Sequence, residues 1–333
     1  MIISWNTTKV CNLKCEHCYR DAGDKDPREL STGEGKALLE EIAKAGFKII
    51  ILSGGEPLMR KDIFDLISHA RSVGLRPVLG SNGTLFTHEI IRRLKAAGIT
   101  RAGISLDSTD AKIHDAFRKH DGAWEATVKA MRMCKEEGLD FQVHTTVTKR
   151  NSGEIMDITD FVTDLGAKAH HIFFLVPTGR GKDIHSVFVN AREIRQVLER
   201  ILEKQKNTGI ELKPVCAPQF VPLAKKMGLD LRFARGCLAG TGYCCILPNG
   251  DVHPCPYLPL LVGNVRQQAF SSIWANSGVF GKLRTLEYSG ACGVCGNKQS
   301  CGGCRARAYY ASSDYMAEDP DCALCVPTVK HAQ

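Results

Sequence analysis

Six short β-branched runs alternate with segments of helical periodicity, and this constrains the fold more than any other feature of the chain. Strands are expected at 2–6, 48–52, 76–80, 101–106, 141–147 and 171–176, with helices near 32–45, 61–73, 87–97, 123–138 and 153–165. Ser31 followed by Glu34 marks the first helix as a capping box. Glycines at 46, 74, 98, 138 and 166 stand where a helix end needs positive φ. Repeated strand–helix alternation implies an α/β fold with a parallel sheet, and right-handed crossovers curl it into a partial (βα)6 barrel. In such folds chemistry sits on the loops at the C-terminal ends of the strands. Three unusual segments fall there: Cys11–Cys18, Ser53-Gly54-Gly55-Glu56-Pro57, and Ser81-Asn82-Gly83.

After a helix near 191–206 the pattern breaks, and the remainder is rich in Gly, Pro and Cys. This divides the chain into a barrel over 1–210 and a small Cys-rich domain over 211–333. A β-hairpin is expected around Pro248-Asn249-Gly250-Asp251. Of 15 cysteines, three lie close together near the start and most of the others follow residue 236. Such clustering reads as metal ligation rather than a disulfide framework. Cys134 and Cys216 are read as buried small hydrophobes. The formal charge is +8, but Lys and Arg are interleaved with acids, which points away from nucleic acid and suits an acidic small substrate. No apolar run is long enough to span a membrane. The N-terminus has no signal-peptide pattern, so a cytoplasmic location is expected.

Cys11-Asn12-Leu13-Lys14-Cys15-Glu16-His17-Cys18-Tyr19 can present three thiolates to one iron–sulfur cube, leaving its fourth iron without a protein ligand. The alternative is a zinc site completed by His17. The loop resembles the signature of the radical S-adenosylmethionine (SAM) superfamily. That resemblance implies a [4Fe–4S] cluster whose open iron chelates SAM and whose electron cleaves it to a 5′-deoxyadenosyl radical. Gly54-Gly55-Glu56 resembles the family motif that holds the SAM amino group, the glycines permitting close backbone approach. Asn82, Ser105 and Asp107 resemble positions that contact SAM, Tyr19 the aromatic residue beside the adenine, and Arg118 an arginine near the carboxylate.

Cys292-x2-Cys295-x5-Cys301-x2-Cys304, followed by Cys322 and Cys325, resembles the SPASM extension, which carries one or two auxiliary [4Fe–4S] clusters. By motif position Cys292, Cys295, Cys301 and Cys322 hold one cluster. Cys237, Cys244 or Cys245, Cys255 and Cys304 are the candidates for a second. The spacing before Cys304 is one residue shorter than the usual pattern, and the Cys244-Cys245 pair leaves the ligand set open.

The run from Cys301 to Cys322, the opening Ile3-Ser-Trp-Asn-Thr-Thr and Phe174-Leu-Val-Pro-Thr-Gly-Arg180 resemble the radical SAM enzymes of alternative haem b and haem d1 biosynthesis, the NirJ, AhbC and AhbD type. This implies removal or decarboxylation of acid side chains on a sirohaem-derived iron tetrapyrrole, with electrons from a flavodoxin or ferredoxin. Cys18-Tyr19 leans the expectation toward acetate removal giving Fe-coproporphyrin III, or haem d1-type propionate removal, over oxidative decarboxylation to haem b. A carboxylate-bearing macrocycle suits arginines, and Arg180, Arg232, Arg235, Arg305 and Arg307 are the candidates. His170 and His171 are candidate axial contacts to the iron. Competing readings are a SPASM peptide maturase, a zinc–cysteine binding module and a plain electron-transfer protein. With strand one expected from residue 2, no room is expected before it for the peptide-recognition domain many maturases carry.

Overall fold

Ile3 and Trp5 of the first strand point to one face and Ser4 and Asn6 to the other, and the sheet keeps this polarity along its length. The structure is a computed structural model that describes residues 1–231 and 234–325; Arg232 lies outside them. The strands are β1 (Ile2–Thr8), β2 (Ile49–Gly54), β3 (Arg76–Ser81), β4 (Arg101–Ser105), β5 (Phe141–Val147), β6 (Ala169–Phe174), β7 (Glu211–Val215), β8 (Tyr243–Ile246), β9 (Asp251–His253) and β10 (Gly263–Asn264). They form one sheet in the order β10-β9-β8-β1-β2-β3-β4-β5-β6-β7. From β8 through β1 to β7 every pairing is parallel, and β8–β9 and β9–β10 are antiparallel. The expected hairpin is therefore the β8–β9 turn, with Gly250 at φ 89.

The first five crossover helices are Thr32–Lys44, Ile63–Ser72, His88–Ala97, Ala123–Glu136 and Ile155–Asp164, with a further helix at Ala111–Arg118. Ser31 and Glu34 form the capping box, and the five glycines that follow the crossover helices have φ between 65 and 107. These helices cover one sheet face, where Ile3, Trp5, Ile50, Leu52, Leu79, Ile104, Val143 and Ile172 form the main core. Each such side chain contributes roughly 1.5–3 kcal/mol by leaving water.

The sheet does not stop at residue 210. β7 adds to β6, pairing Ile172 with Pro214, and its edge position tolerates a proline. β8 extends the other side through Ile3 and Cys244. Helices Phe270–Asn276 and Gly278–Thr285 also join the main core, with Phe47 edge-on to Phe270 and Trp274. The Cys-rich part thus shares the barrel's sheet and core. No helix among the described residues is long and apolar enough to cross a membrane.

Candidate active site and cysteine centres

All fifteen cysteines are free thiols. The first three lie in the loop leaving β1, closed at its base by Cys11 N donating to the Gly23 carbonyl (3.2 Å) and Gly23 N to that of Lys9 (2.9 Å). Inside the loop, Leu13 N donates to Cys11 Sγ (3.4 Å), Ala22 N to Cys18 Sγ (3.5 Å) and Arg118 Nη1 to Cys15 Sγ (3.9 Å). Burial pushes the Cys11 thiol up to about 11 and raises that of Cys15. Thiols so placed stay protonated until a metal displaces the proton. His17 is not drawn toward them as a fourth ligand; its ring stacks on Phe117 at 4.0 Å.

The β2 exit lies against this loop because two glycines allow it. A Cβ on Gly54, at φ 141, would stand 2.4 Å from the Thr8 carbonyl oxygen, and one on Gly55 2.1 Å from that of Val10. Glu56 is fully buried and accepts from Ser81 Oγ (2.9 Å), Asn82 N (2.9 Å) and Leu58 N (3.2 Å). Burial outweighs these donors and pushes its carboxyl up to about 7. Asn82 donates to Asn12 of the cysteine loop (2.9 Å) and accepts from Thr84. Ser105 Oγ reaches only the Ser81 carbonyl, at 3.5 Å. Asp107 pairs with Arg118 (2.7 Å) and accepts from Thr146 N (2.9 Å), so the Cys15 arginine is fixed by a buried carboxylate. Tyr19 donates to Asn6 Oδ1 (3.3 Å) and packs near Tyr257, and Arg20 lies over its ring. Asn6 Nδ2, His17 Nδ1, Arg20 Nε and Arg180 Nη2 are buried without partners. Three unpaired thiols with N–H donors, beside orphaned polar atoms, fit a cluster that carries a polar ligand.

A second cysteine group surrounds a cavity lined by Cys292, Cys295, Cys301, Cys322, Cys325, Gly302 and Gly303. A Cβ on Gly303 would meet Cys292 Sγ at 3.0 Å, so the glycine leaves the cradle open. Asp319 N, Asn297 N and Gly303 N donate to the sulfurs of Cys292, Cys295 and Cys301, each at 3.4 Å. The four expected ligands thus share one cavity, and its donor set fits an iron–sulfur cluster. Among the described residues no group of three or more His, Cys, Asp or Glu is arranged around a single metal ion; a cube holds its thiolates on separate irons, further apart than one ion would.

Of the remaining expected ligands, Cys255 and Cys304 pack together, and both lie close enough to Cys237 for its charge to act on their thiols. Cys244 is not brought to them. Strand alternation turns it, fully buried, into the main core beside Ile246, while Cys245 faces the opposite side, accepts from Arg20 Nη2 (3.6 Å) and lies close enough to Cys255 for its charge to act on that thiol. Cys216 lies against the same small cluster, which contains Cys304. Sequence reading missed it because it lies outside both motifs; its position at the end of a strand was the available signal.

Of the five expected substrate arginines, the four among the described residues donate to protein groups, with Arg180 Nη2 left without a partner. Arg180 donates to the carbonyls of Cys15 and Ala22, both at 2.9 Å, and so staples the cysteine loop. Arg235 holds the Cys237 carbonyl (2.8 Å) and Tyr288 Oη (2.7 Å). Arg305 reaches Cys292 Sγ (3.6 Å) and the Tyr315 carbonyl (3.0 Å), and Arg307 pairs with Asp319 (2.8 Å). His170 is likewise occupied at both ring nitrogens, by Thr159 (2.9 Å) and Thr145 (2.8 Å). The sheet face away from the core instead carries His171, stacked with His144 at 5.4 Å, with Gln142 Nε2 2.8 Å from His144 Nε2. A Cβ on Gly103 would stand 2.5 Å from the His144 ring. Burial lowers both imidazoles and keeps them neutral.

Residues 5–162 match the radical SAM superfamily, and 237–305 match the SPASM iron–sulfur cluster-binding domain. The AdoMet-dependent heme synthase of Methanosarcina barkeri is 44% identical over 96% of this chain and 95% of its own. The Fe-coproporphyrin III synthase of the same organism is 32% identical over 97% of this chain and 88% of its own. In fold the chain is similar to SuiB of Streptococcus suis bound to S-adenosylmethionine, with a TM-score of 0.77, 18% identity and coverage of 96% of this chain and 76% of that one. The cysteine loop after the first strand, the glycines packed against it and these similarities agree: the chain belongs to the radical SAM superfamily and is an enzyme with a SPASM iron–sulfur domain.

Proposed function

We propose that the chain converts the propionate side chains of Fe-coproporphyrin III to vinyl groups, giving haem b. The observation that carries this reading is the 44% identity, over nearly the full length of both chains, to a heme synthase, against 32% to an Fe-coproporphyrin III synthase. It reverses the preference drawn from Cys18-Tyr19. Tyr19 is engaged with Asn6, Tyr257 and Arg20, which are protein contacts that carry no information about the ring position attacked.

When bound, a [4Fe–4S] cluster with SAM supplies a primary carbon radical able to remove a hydrogen from an unactivated side chain. Around it, Cys11, Cys15 and Cys18 are the cluster ligands, and Glu56, Asn82 and the Gly54-Gly55 backbone form the SAM side of the site. Asp107 positions Arg118 beside Cys15. Each propionate-to-vinyl conversion releases CO2 and one further electron, and the cysteine groups near the C-terminus would hold the clusters that accept it. With most donors of the expected arginines engaged and Arg180 Nη2 left over, His144 and His171 on the sheet face away from the core are further candidate contacts to the macrocycle. His171 Nδ1 lies 3.2 Å from Gln142 Nε2 and its Nε2 3.9 Å from Glu211, so an iron atom or a carboxylic acid reaching that ring would displace one of these partners.

The test supplies anaerobically reconstituted protein with SAM, dithionite and either Fe-coproporphyrin III or didecarboxysirohaem, following 5′-deoxyadenosine and tetrapyrrole mass together. Loss of CO2 and two hydrogens per propionate from the first substrate supports the proposal. Acetate loss from the second would return the reaction to Fe-coproporphyrin III formation. SAM cleavage with both macrocycles untouched would overturn the tetrapyrrole reading.

A further inference from the structure

Cys216, Cys237, Cys255 and Cys304 come from four separated parts of the chain: the end of β7, the segment before β8, the turn after β9 and the N-terminus of helix Arg305–Ser312. Independent contacts draw them to one place. Gly236 lies so close to the chain after Cys216 that a Cβ on it would stand 2.3 Å from the Pro218 carbonyl oxygen. Gly236 N donates to the Ser300 carbonyl (2.8 Å) and Cys237 N to that of Cys301 (3.2 Å), which sets Cys237 beside the turn holding Cys304. Arg307, one turn into the helix that Cys304 caps, donates to the Cys216 carbonyl at 2.7 Å. Cys216 and Cys255 both pack against the small cluster formed by Val176, Leu258, Cys304 and Ala306.

Two further observations concern Cys216 itself. Its φ is +61, a left-handed conformation that a non-glycine residue adopts only where its surroundings impose it and that collects at functional sites. Its carbonyl is held by Arg307 of the helix that Cys304 caps, and its half-buried side chain packs on the small apolar cluster that contains Cys304. A residue serving only as a small hydrophobe has no need of this company. We propose that Cys216 is the fourth thiolate of an auxiliary [4Fe–4S] cluster whose other ligands are Cys237, Cys255 and Cys304. Cys244 is then a core residue, and Cys245, near Cys255 but held by Arg20, is a neighbour of the cluster and not a ligand. The inference rests on the SPASM assignment and not on the tetrapyrrole reading, since its test contains no tetrapyrrole.

The experiment uses the full chain, reconstituted without oxygen, as Cys216→Ala, Cys216→Ser, Cys244→Ala and Cys245→Ala. Iron and sulfide per chain and the electron paramagnetic resonance of the reduced protein are measured. With three cubes in the parent, Cys216→Ala is expected to lose about a third of the iron, or, where the cube persists on three thiolates, to shift one signal. Cys216→Ser, nearly equal in size, shifts the same signal because oxygen replaces sulfur at the iron. Cys244→Ala and Cys245→Ala leave iron and spectrum at parental values. Parental iron and spectra in both Cys216 variants would overturn the proposal, as would loss of that signal from a Cys244 or Cys245 variant. Equal loss of every cluster from both Cys216 variants would also overturn it, since that marks a packing residue.

Discussion

Asp319 links the two C-terminal cysteine groups, and Asp319→Asn should uncouple both from the fold. Its carboxylate is 0% exposed and accepts from Arg307 Nε (2.9 Å) and Nη2 (2.8 Å), Cys304 N (2.8 Å) and Gln219 Nε2 (2.9 Å). Its own N–H donates to Cys292 Sγ. Burial alone would raise this carboxyl, but Arg307 and the donors around it hold it below its ordinary value. Asparagine keeps the shape, removes the charge, and leaves the Arg307 guanidinium, itself only 3% exposed, to the partly exposed Asp321 carboxylate 3.8 Å away. Breaking a buried pair from one side costs about 3–5 kcal/mol, out of a typical total of about 5–15 kcal/mol. The assay is anaerobic urea unfolding followed by cluster absorbance and far-UV dichroism, with the SAM-induced spectral change of the first cluster as a local control. Both auxiliary clusters should bleach at lower urea while that control persists. Asp319→Asn combined with Arg307→Met should recover much of the loss, because no buried charge remains. A destabilisation under about 1 kcal/mol with unchanged auxiliary spectra would refute the reasoning.

Three further outcomes are expected. Glu56 titrates near about 7 instead of 4.5, so the SAM-free fold favours its neutral form and loses stability as pH rises through that window, by up to roughly 1.4 kcal/mol per unit. Melting temperatures from pH 5 to 8 should fall more steeply for the parent than for Glu56→Gln, and equal slopes would contradict the assigned burial. Gly55→Ala forces a Cβ onto the Val10 carbonyl and should abolish SAM cleavage while sparing auxiliary iron; parental cleavage would show that the junction yields. Arg180→Ala leaves the Cys15 and Ala22 carbonyls without their donor, at about 1–3 kcal/mol for each buried group. The first cluster should then lose iron to a chelator faster with the tetrapyrrole KM unchanged, whereas a raised KM with a stable cluster would make Arg180 a substrate contact.

Much of this architecture was legible because it rests on local rules. Alternation placed six strands, the capping pair at Ser31 and Glu34 started a helix where expected, and Gly54-Gly55-Glu56 fell on the rim beside the cysteine loop. What escaped depends on long-range pairing. β7 and β8 are short, and no sequence signal states that they flank β6 and β1. The choice between Cys244 and Cys245 turns on a one-residue register, since neighbours on a strand face opposite sides. Cys216 reaches its group only because Gly236 and Arg307 pull separate segments together.

The arginines expected for a carboxylate-bearing macrocycle also serve the chain's own thiols, carbonyls and a carboxylate, and other arginines do the same. Arg118 reaches Cys15, Arg20 reaches Cys245, Arg305 reaches Cys292, and Arg307 lowers the cost of ionising Cys304 and Cys216. Thiolates gathered in a buried site repel one another as well as paying for desolvation. A fixed guanidinium offsets both and remains protonated throughout. The formal +8 counts every cysteine as neutral, so ligation spends part of that excess inside the protein. On the proposed reading, what remains for an acidic substrate is Arg180 Nη2, unpartnered among the described residues, and the sheet face carrying His144 and His171.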